Sequence, residues 1–155
     1  MTMKKNQSGF TLIEILITLT IASILLSYGI PNLKDFLTRQ SLTTKANDIL
    51  VDLVYARSEA INGGTPVSII ANPTWDKGWK IVTDNNGDGV LETLRISDVI
   101  EEKIVIVDRD DYVPIIFNPT GTLKSPEVRE IVIKHESITQ YKTLTIALSG
   151  NTNIY

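Results

Sequence analysis

The chain has 155 residues, 43% hydrophobic and 21% charged, which suits one domain and leaves no room for two large ones. It has no cysteine, which excludes disulfide scaffolds, thiolate zinc sites and cysteine nucleophiles, and its single histidine, His135, disfavours a histidine-based metal cluster. Fifteen Lys and Arg against eighteen Asp and Glu give a net charge of -3, which argues against a globally basic nucleic-acid binder.

The mean hydropathy of +0.07 is high for a soluble domain, and the excess lies near the N-terminus. Residues 10–29 read FTLIEILITLTIASILLSYG, with Glu14 as their one charge. As a helix this stretch rises roughly 30 Å, the thickness of a bilayer core. Lys4 and Lys5 are the only charges ahead of it, and positive residues there hold that end in the cytoplasm, so the rest of the chain is expected to be exported. A cleaved secretory signal needs a shorter apolar core and a small-x-small site. An ordinary anchor gives no reason for Glu14, since a charge at the centre of a membrane helix costs about 2.5–3.5 kcal/mol on insertion scales.

The segment Gly9-Phe10-Thr11-Leu12-Ile13-Glu14, behind its short Lys-Lys leader, resembles the processing site of type IV pilins and of type II secretion pseudopilins. The resemblance implies that a prepilin peptidase cuts between Gly9 and Phe10 and that the new N-terminal Phe10 is N-methylated. Cleavage leaves a cationic amine on Phe10 in an apolar setting, four residues from a carboxylate of opposite sign. In a bundle of parallel helices, Glu14 of one subunit can meet the Phe10 amine of its neighbour after a small axial stagger, so that neither charge is buried alone. Such a pair selects a register more than it adds stability.

Thr11, Glu14 and Thr18 share one helix face, and Thr20, Ser23 and Ser27 another; small hydroxyl residues allow close helix approach. Gly29 and Pro31 are expected to interrupt the helix, because proline lacks the backbone donor. Pilins carry a proline here, so the resemblance extends to Pro31. Beyond it the pattern is amphipathic: Leu42, Ala46, Ile49, Leu50, Leu53 and Ala60 fall on one face, with Lys45, Asp48, Asp52 and Glu59 largely opposite. Asn62-Gly63-Gly64 reads as the C-cap. No small core surrounds a helix of this length; its first half needs lipid or other copies around it, and its second half the chain's own sheet.

About seven short strands follow. Val67–Asn72 is the first, and Trp79–Thr83 and Val90–Ile96 form a hairpin across the turn at Asp84–Gly89. Ile104–Val107 reads as an unbroken buried strand. Ile115–Phe117 ends at the Asn118–Gly121 turn, Ile131–Ile133 and Leu144–Leu148 alternate, and Ile154-Tyr155 closes the last hairpin. The fold class is α+β: a long N-terminal helix, half membrane-spanning and half amphipathic, packed on antiparallel sheet. The expected divisions are a leader at 1–9, a membrane or filament-core helix at 10–30, an amphipathic helix at 31–64 and a β-rich periplasmic domain at 65–155.

The Trp75-to-Trp79 segment with Gly78, the Asp84–Gly89 turn, the Phe117–Gly121 turn and the terminal Ser149-Gly150 resemble the globular domain of GspH-type minor pseudopilins and FimT/FimU-type minor pilins. The resemblance implies a helix on two antiparallel sheets, an inner-membrane single pass with a periplasmic domain, a place at or near the filament tip, and a role in priming assembly with other major and minor pilins or pseudopilins. The residues offer no phosphate loop and no credible active site, so no cofactor and no enzymatic activity are expected. FimT-type subunits used in DNA uptake resemble each other in a basic Gly-Arg-x-Arg ending, whereas here Asn151 and Asn153 follow Gly150 in the arginine positions. The tail lacks the charges that neutralise phosphates, which disfavours nucleic acid as a partner. The alternative is a tip-located pilin that binds DNA or a surface, and a basic or aromatic patch near Tyr141–Tyr155 would favour it.

Among other candidates, Asp84, Asn86 and Asp88 carry oxygens spaced as in the first half of an EF-hand loop, but Arg95 stands where the bidentate Glu belongs, so a polar hairpin turn is the expectation. Asp108, Asp110 and Asp111 around Arg109 read as a solvated acidic turn, and Glu101 and Glu102 before Lys103 similarly. His135 reads as an exposed strand-end residue, and Trp75 and Trp79 as core.

Overall fold

The computed structural model describes residues 10–97, 103–109 and 113–155. Among the described residues one α-helix, α1, runs from Leu12 to Gly63. Among the described residues eight strands follow: β1 (Val67–Ala71), β2 (Trp79–Thr83), β3 (Glu92–Ser97), β4 (Ile104–Asp108), β5 (Ile115–Phe117), β6 (Arg129–His135), β7 (Tyr141–Ile146) and β8 (Thr152–Ile154), with a short 3-10 turn at Trp75–Lys77. The strands form two four-stranded antiparallel sheets, ordered β3-β2-β1-β5 and β4-β6-β7-β8. The expected fold class is the observed one, with eight strands where about seven were anticipated.

The chain divides into two compact units, Met1–Leu37 and Thr38–Tyr155. In the first, every residue from 10 to 37 is exposed. Among the described residues, α1 is the one helix long and apolar enough to cross a membrane. Its hydroxyls turn back on their own helix: Thr20 Oγ1 donates to the Leu16 carbonyl at 2.7 Å and Ser27 Oγ to the Ser23 carbonyl at 2.7 Å. The interruption expected at Gly29 and Pro31 is absent, and α1 passes through both. Proline deletes one donor, but the turns on either side keep theirs, and the Asn32 side-chain amide adds a bond to the Tyr28 carbonyl at 2.9 Å.

In the second unit the apolar face of α1 is buried as its spacing predicts: Leu42, Ala46, Ile49, Leu53, Ala56 and Ala60 meet Val67, Ile69 and Ile81 of the first sheet and Ile106, Ile131, Ile133 and Leu144 of the second in one core. Each such aliphatic side chain contributes roughly 1.5–3 kcal/mol. The helix stops at Gly64, whose N–H reaches the Ala60 carbonyl at 3.1 Å with φ +66°, a conformation that favours glycine.

Four sequence expectations are corrected here. Asp52 is buried, not on the solvent face. β4 alternates instead of being buried throughout: Ile104, Ile106 and Asp108 point inward and Val107 is 41% exposed, because only one face of the second sheet meets the core. Asp108 therefore ends a strand inside the protein and is not part of a solvated turn; Asp110, Asp111, Glu101 and Glu102 lie outside the described residues. His135 ends β6 as expected but is buried, since its parity matches Ile131 and Ile133.

Candidate functional site

At the start of α1, Thr11 and Glu14 close a reciprocal cap. The Thr11 backbone N–H and hydroxyl both donate to Glu14 Oε2 at 2.8 Å, and the Glu14 N–H donates to Thr11 Oγ1 at 3.3 Å. This is the Thr-x-x-Glu capping box, which satisfies the helix's first free donors with the carboxylate three residues on. Phe10 precedes it, exposed. Gly9 lies outside the described residues. Within the single chain, Glu14 is thus occupied by its own helix start. The spacing that carries this cap was present in the sequence, though the sequence reading used Glu14 only as a partner for another chain.

The Asp84–Gly89 turn is organised by its own amides. Asp84 Oδ1 accepts from the Gly87 N–H at 2.8 Å and its Oδ2 from the Gly89 N–H at 3.0 Å. Asp88 Oδ1 accepts from the Val90 N–H at 2.7 Å, Asn86 Oδ1 from the Asp88 N–H at 3.1 Å, and Glu92 Oε2 from the Asn85 N–H at 2.9 Å. Oxygens aimed at loop amides are the mark of side-chain-capped turns. No group of three or more His, Asp or Glu placed to hold a metal occurs among the described residues.

Two tryptophans tie the domain together. Their rings lie 5.7 Å apart, and each donates its indole N–H to a different buried carboxylate. Trp79 reaches Asp52 Oδ2 on α1 at 2.7 Å, and Trp75 reaches Asp108 Oδ2 on β4 at 3.0 Å. Arg129 closes the second site with Nη2 at 2.9 Å from Asp108 Oδ2, both side chains being buried. Arg95 closes the first, with Nη1 at 3.1 Å from Asp52 Oδ1 and its guanidinium over the Tyr55 ring. Buried indoles require acceptors, and that requirement is the signal by which the sequence could have placed two acids inside.

The C-terminal segment is held by Arg57 on α1. Its Nε donates to the Gly121 carbonyl at 2.8 Å, Nη1 to Asn151 Oδ1 at 3.1 Å and Nη2 to the Ser149 carbonyl at 3.1 Å. At Gly150 (φ +81°) a Cβ would lie 2.0 Å from the Gly121 carbonyl oxygen, so only glycine fits. Asn151, in the first of the two arginine positions, is thus engaged by Arg57.

Residues 45–151, more than two thirds of the chain, match the family described as Type II transport protein GspH. The chain belongs to the GspH family. Residues 4–29 match the prokaryotic N-terminal methylation motif. Two crystal structures of the type IV minor pilin FimU from Pseudomonas aeruginosa resemble the GspH-family chain, both at 26% identity. One gives a TM-score of 0.67 over 77% of this chain and 92% of FimU, the other 0.63 over 74% and 92%. No curated protein sequence matches the chain. Family and fold are those of pilin structural proteins, for which assembly with other pilins is the implied activity.

Proposed function

We propose that this chain is a minor pilin or pseudopilin that helps initiate or cap a type IV pilus or a type II secretion pseudopilus. The observation that carries the reading is the union of a methylation motif on a fully exposed apolar helix with a GspH-type domain whose own core is complete. Residues 1–9 are the leader, 10–30 the membrane or filament-core helix, 31–64 the amphipathic part and 65–155 the periplasmic domain, which reaches the filament tip after assembly. A prepilin peptidase cuts between Gly9 and Phe10, and Phe10 is N-methylated. Glu14 then sets register: its carboxylate, held at the helix start by Thr11, is positioned to take a neighbouring subunit's Phe10 amine as a further donor. Pro31 marks the passage from the apolar to the amphipathic part of α1. The chain takes no cofactor and performs no catalysis.

Mass spectrometry of the mature N-terminus in the native host tests the processing step. The expected terminus is N-methyl-Phe10; a chain beginning at Met1 or Thr2 refutes the reading.

A further inference from the structure

Asparagine followed by glycine occurs twice in the chain, at Asn62-Gly63 and at Asn86-Gly87, and the two steps are held differently. At such a step the side-chain amide carbon and the next backbone nitrogen can close a five-membered ring, and glycine offers no side chain to hinder the approach. In the turn between β2 and β3 all three groups of that ring closure have a bonded partner. The nucleophile, the Gly87 N–H, donates to Asp84 Oδ1 at 2.8 Å. The electrophile, the Asn86 side-chain carbonyl, accepts through Oδ1 from the Asp88 N–H at 3.1 Å. The leaving group, Asn86 Nδ2, donates to Asp88 Oδ2 at 2.9 Å. Residues 85–90 are all exposed, and a Cβ placed on Gly87 would meet no atom within 4 Å beyond its chain neighbours, so the space beside Gly87 is open. Asn62-Gly63 lies in the last turn of α1, where Asn62 Nδ2 donates back to Ser58 Oγ at 3.3 Å. Among the described residues no carboxylate takes the Gly63 N–H.

We propose that Asn86 is a self-modification site, with Asp84 as the base and the Asp88 N–H as the donor to the developing oxyanion. The Gly87 nitrogen attacks Asn86 Cγ while its proton passes to Asp84 Oδ1. Negative charge collects on Asn86 Oδ1, where the Asp88 N–H already points. The Cγ–Nδ2 bond then breaks, the proton on Asp84 is returned through solvent, and Nδ2 leaves as ammonia, so that a succinimide remains. Water opens that ring at either carbonyl and gives aspartate or isoaspartate at position 86. Water is the one co-reactant, and no group is oxidised or reduced. Both products add a negative charge beside Asp84, Asp88 and Glu92 and remove the Nδ2 donor from Asp88. Isoaspartate also lengthens the main chain of the turn by a methylene. The join between β2 and β3 therefore loosens with the age of the folded subunit, whatever assembly that subunit enters.

Peptide mapping by mass spectrometry follows the loss of amide at each asparagine of the detergent-solubilised full chain, incubated at neutral pH. Conversion at position 86 should outpace conversion at position 62. It should also run several-fold faster than in a synthetic peptide of residues 82–92, which has the same sequence without the fold to position base and donor. Asp84→Asn keeps an oxygen for the Gly87 N–H but no base, and is expected to slow position 86 about tenfold, less than the roughly 10²–10⁴-fold of a base well matched to its proton. Near-UV circular dichroism checks the fold of this variant, and where the fold is lost the peptide comparison alone decides. Conversion no faster in the folded chain than in the peptide shows that the bonds of the turn protect the amide, and overturns the proposal. Undiminished conversion in a folded Asp84→Asn, or equal conversion at positions 62 and 86, overturns it as well.

Discussion

Leu19 and Leu53 belong to the same helix, yet Leu19 is 62% exposed and Leu53 only 1%. The acids of the two regions differ in the same way. Glu14 is served by the first turn of its own helix, whereas Asp52 and Asp108 are served by indoles and guanidiniums brought from other elements. The region up to Leu37 thus has the local bonds of a helix and no tertiary cover, while the region from Thr38 closes a core of its own. A helix built this way is stable only where lipid or other subunits replace the missing cover. The difference teaches that fold stability resides in one region; the proposed function places association in the other, and substitutions should separate the two.

The largest effect is expected at Asp108. Its removal in Asp108→Ala takes the carboxylate away from the buried Arg129 charge, which keeps the neutral Val113 carbonyl, and from the Trp75 N–H, and breaking a buried pair from one side costs about 3–5 kcal/mol. Thermal melts of the detergent-solubilised full chain, followed by near-UV circular dichroism, should show the loss. Glu14→Val should leave the same melt unchanged and membrane insertion intact, but reduce recovery of the subunit in sheared filaments. A Glu14→Val variant that melts early, or that enters filaments normally, breaks the separation.

Leucine for leucine, the comparison sharpens. Leu53→Ala opens a cavity against both sheets and should cost about 2–5 kcal/mol. Leu19→Ala removes a side chain that touches no core and should shift the melting midpoint by no more than a surface change, within about 0.5 kcal/mol. Equal shifts in the two variants would show that residues 12–37 are covered within the single chain.

Most of the architecture was legible in the sequence because periodicity reports which face is covered. The 3.6-residue repeat of Leu42, Ala46, Ile49 and Leu53 gave the buried face of α1, and Trp79–Thr83 and Ile115–Phe117 have the predicted bounds. The N-terminal motif was legible as chemistry, because a lone carboxylate in a twenty-residue, mostly apolar stretch requires a reason. Asp52, Asp108 and Arg129 were not legible as a set. Each is polar, and polarity alone reads as solvent-facing; their partners lie on other elements, so only the tertiary fold reveals that the two carboxylates pair with two indole N–H groups and two guanidiniums. The Pro31 interruption failed for a related reason: a single missing donor is a local cost that an otherwise continuous helix can absorb.

The smallest expected effect lies in the Asp84–Gly89 turn, which resembles the region up to Leu37 in being exposed and the core region in being bonded within itself. Asp88→Ala removes one acceptor for the Val90 N–H and one for the Asn86 amide. At about 0.5–1.5 kcal/mol for a typical hydrogen bond, and with water free to replace the lost acceptor, the destabilisation should stay near 1 kcal/mol. Calorimetry with calcium should give no saturable heat for either the parent chain or Asp88→Ala, because each Asp84 and Asp88 oxygen already accepts a bond from its own loop. Tight calcium binding by the parent chain that disappears in Asp88→Ala would show instead that the loop gives up its internal bonds to a cation, and would move this turn from the self-contained class to one completed by a ligand.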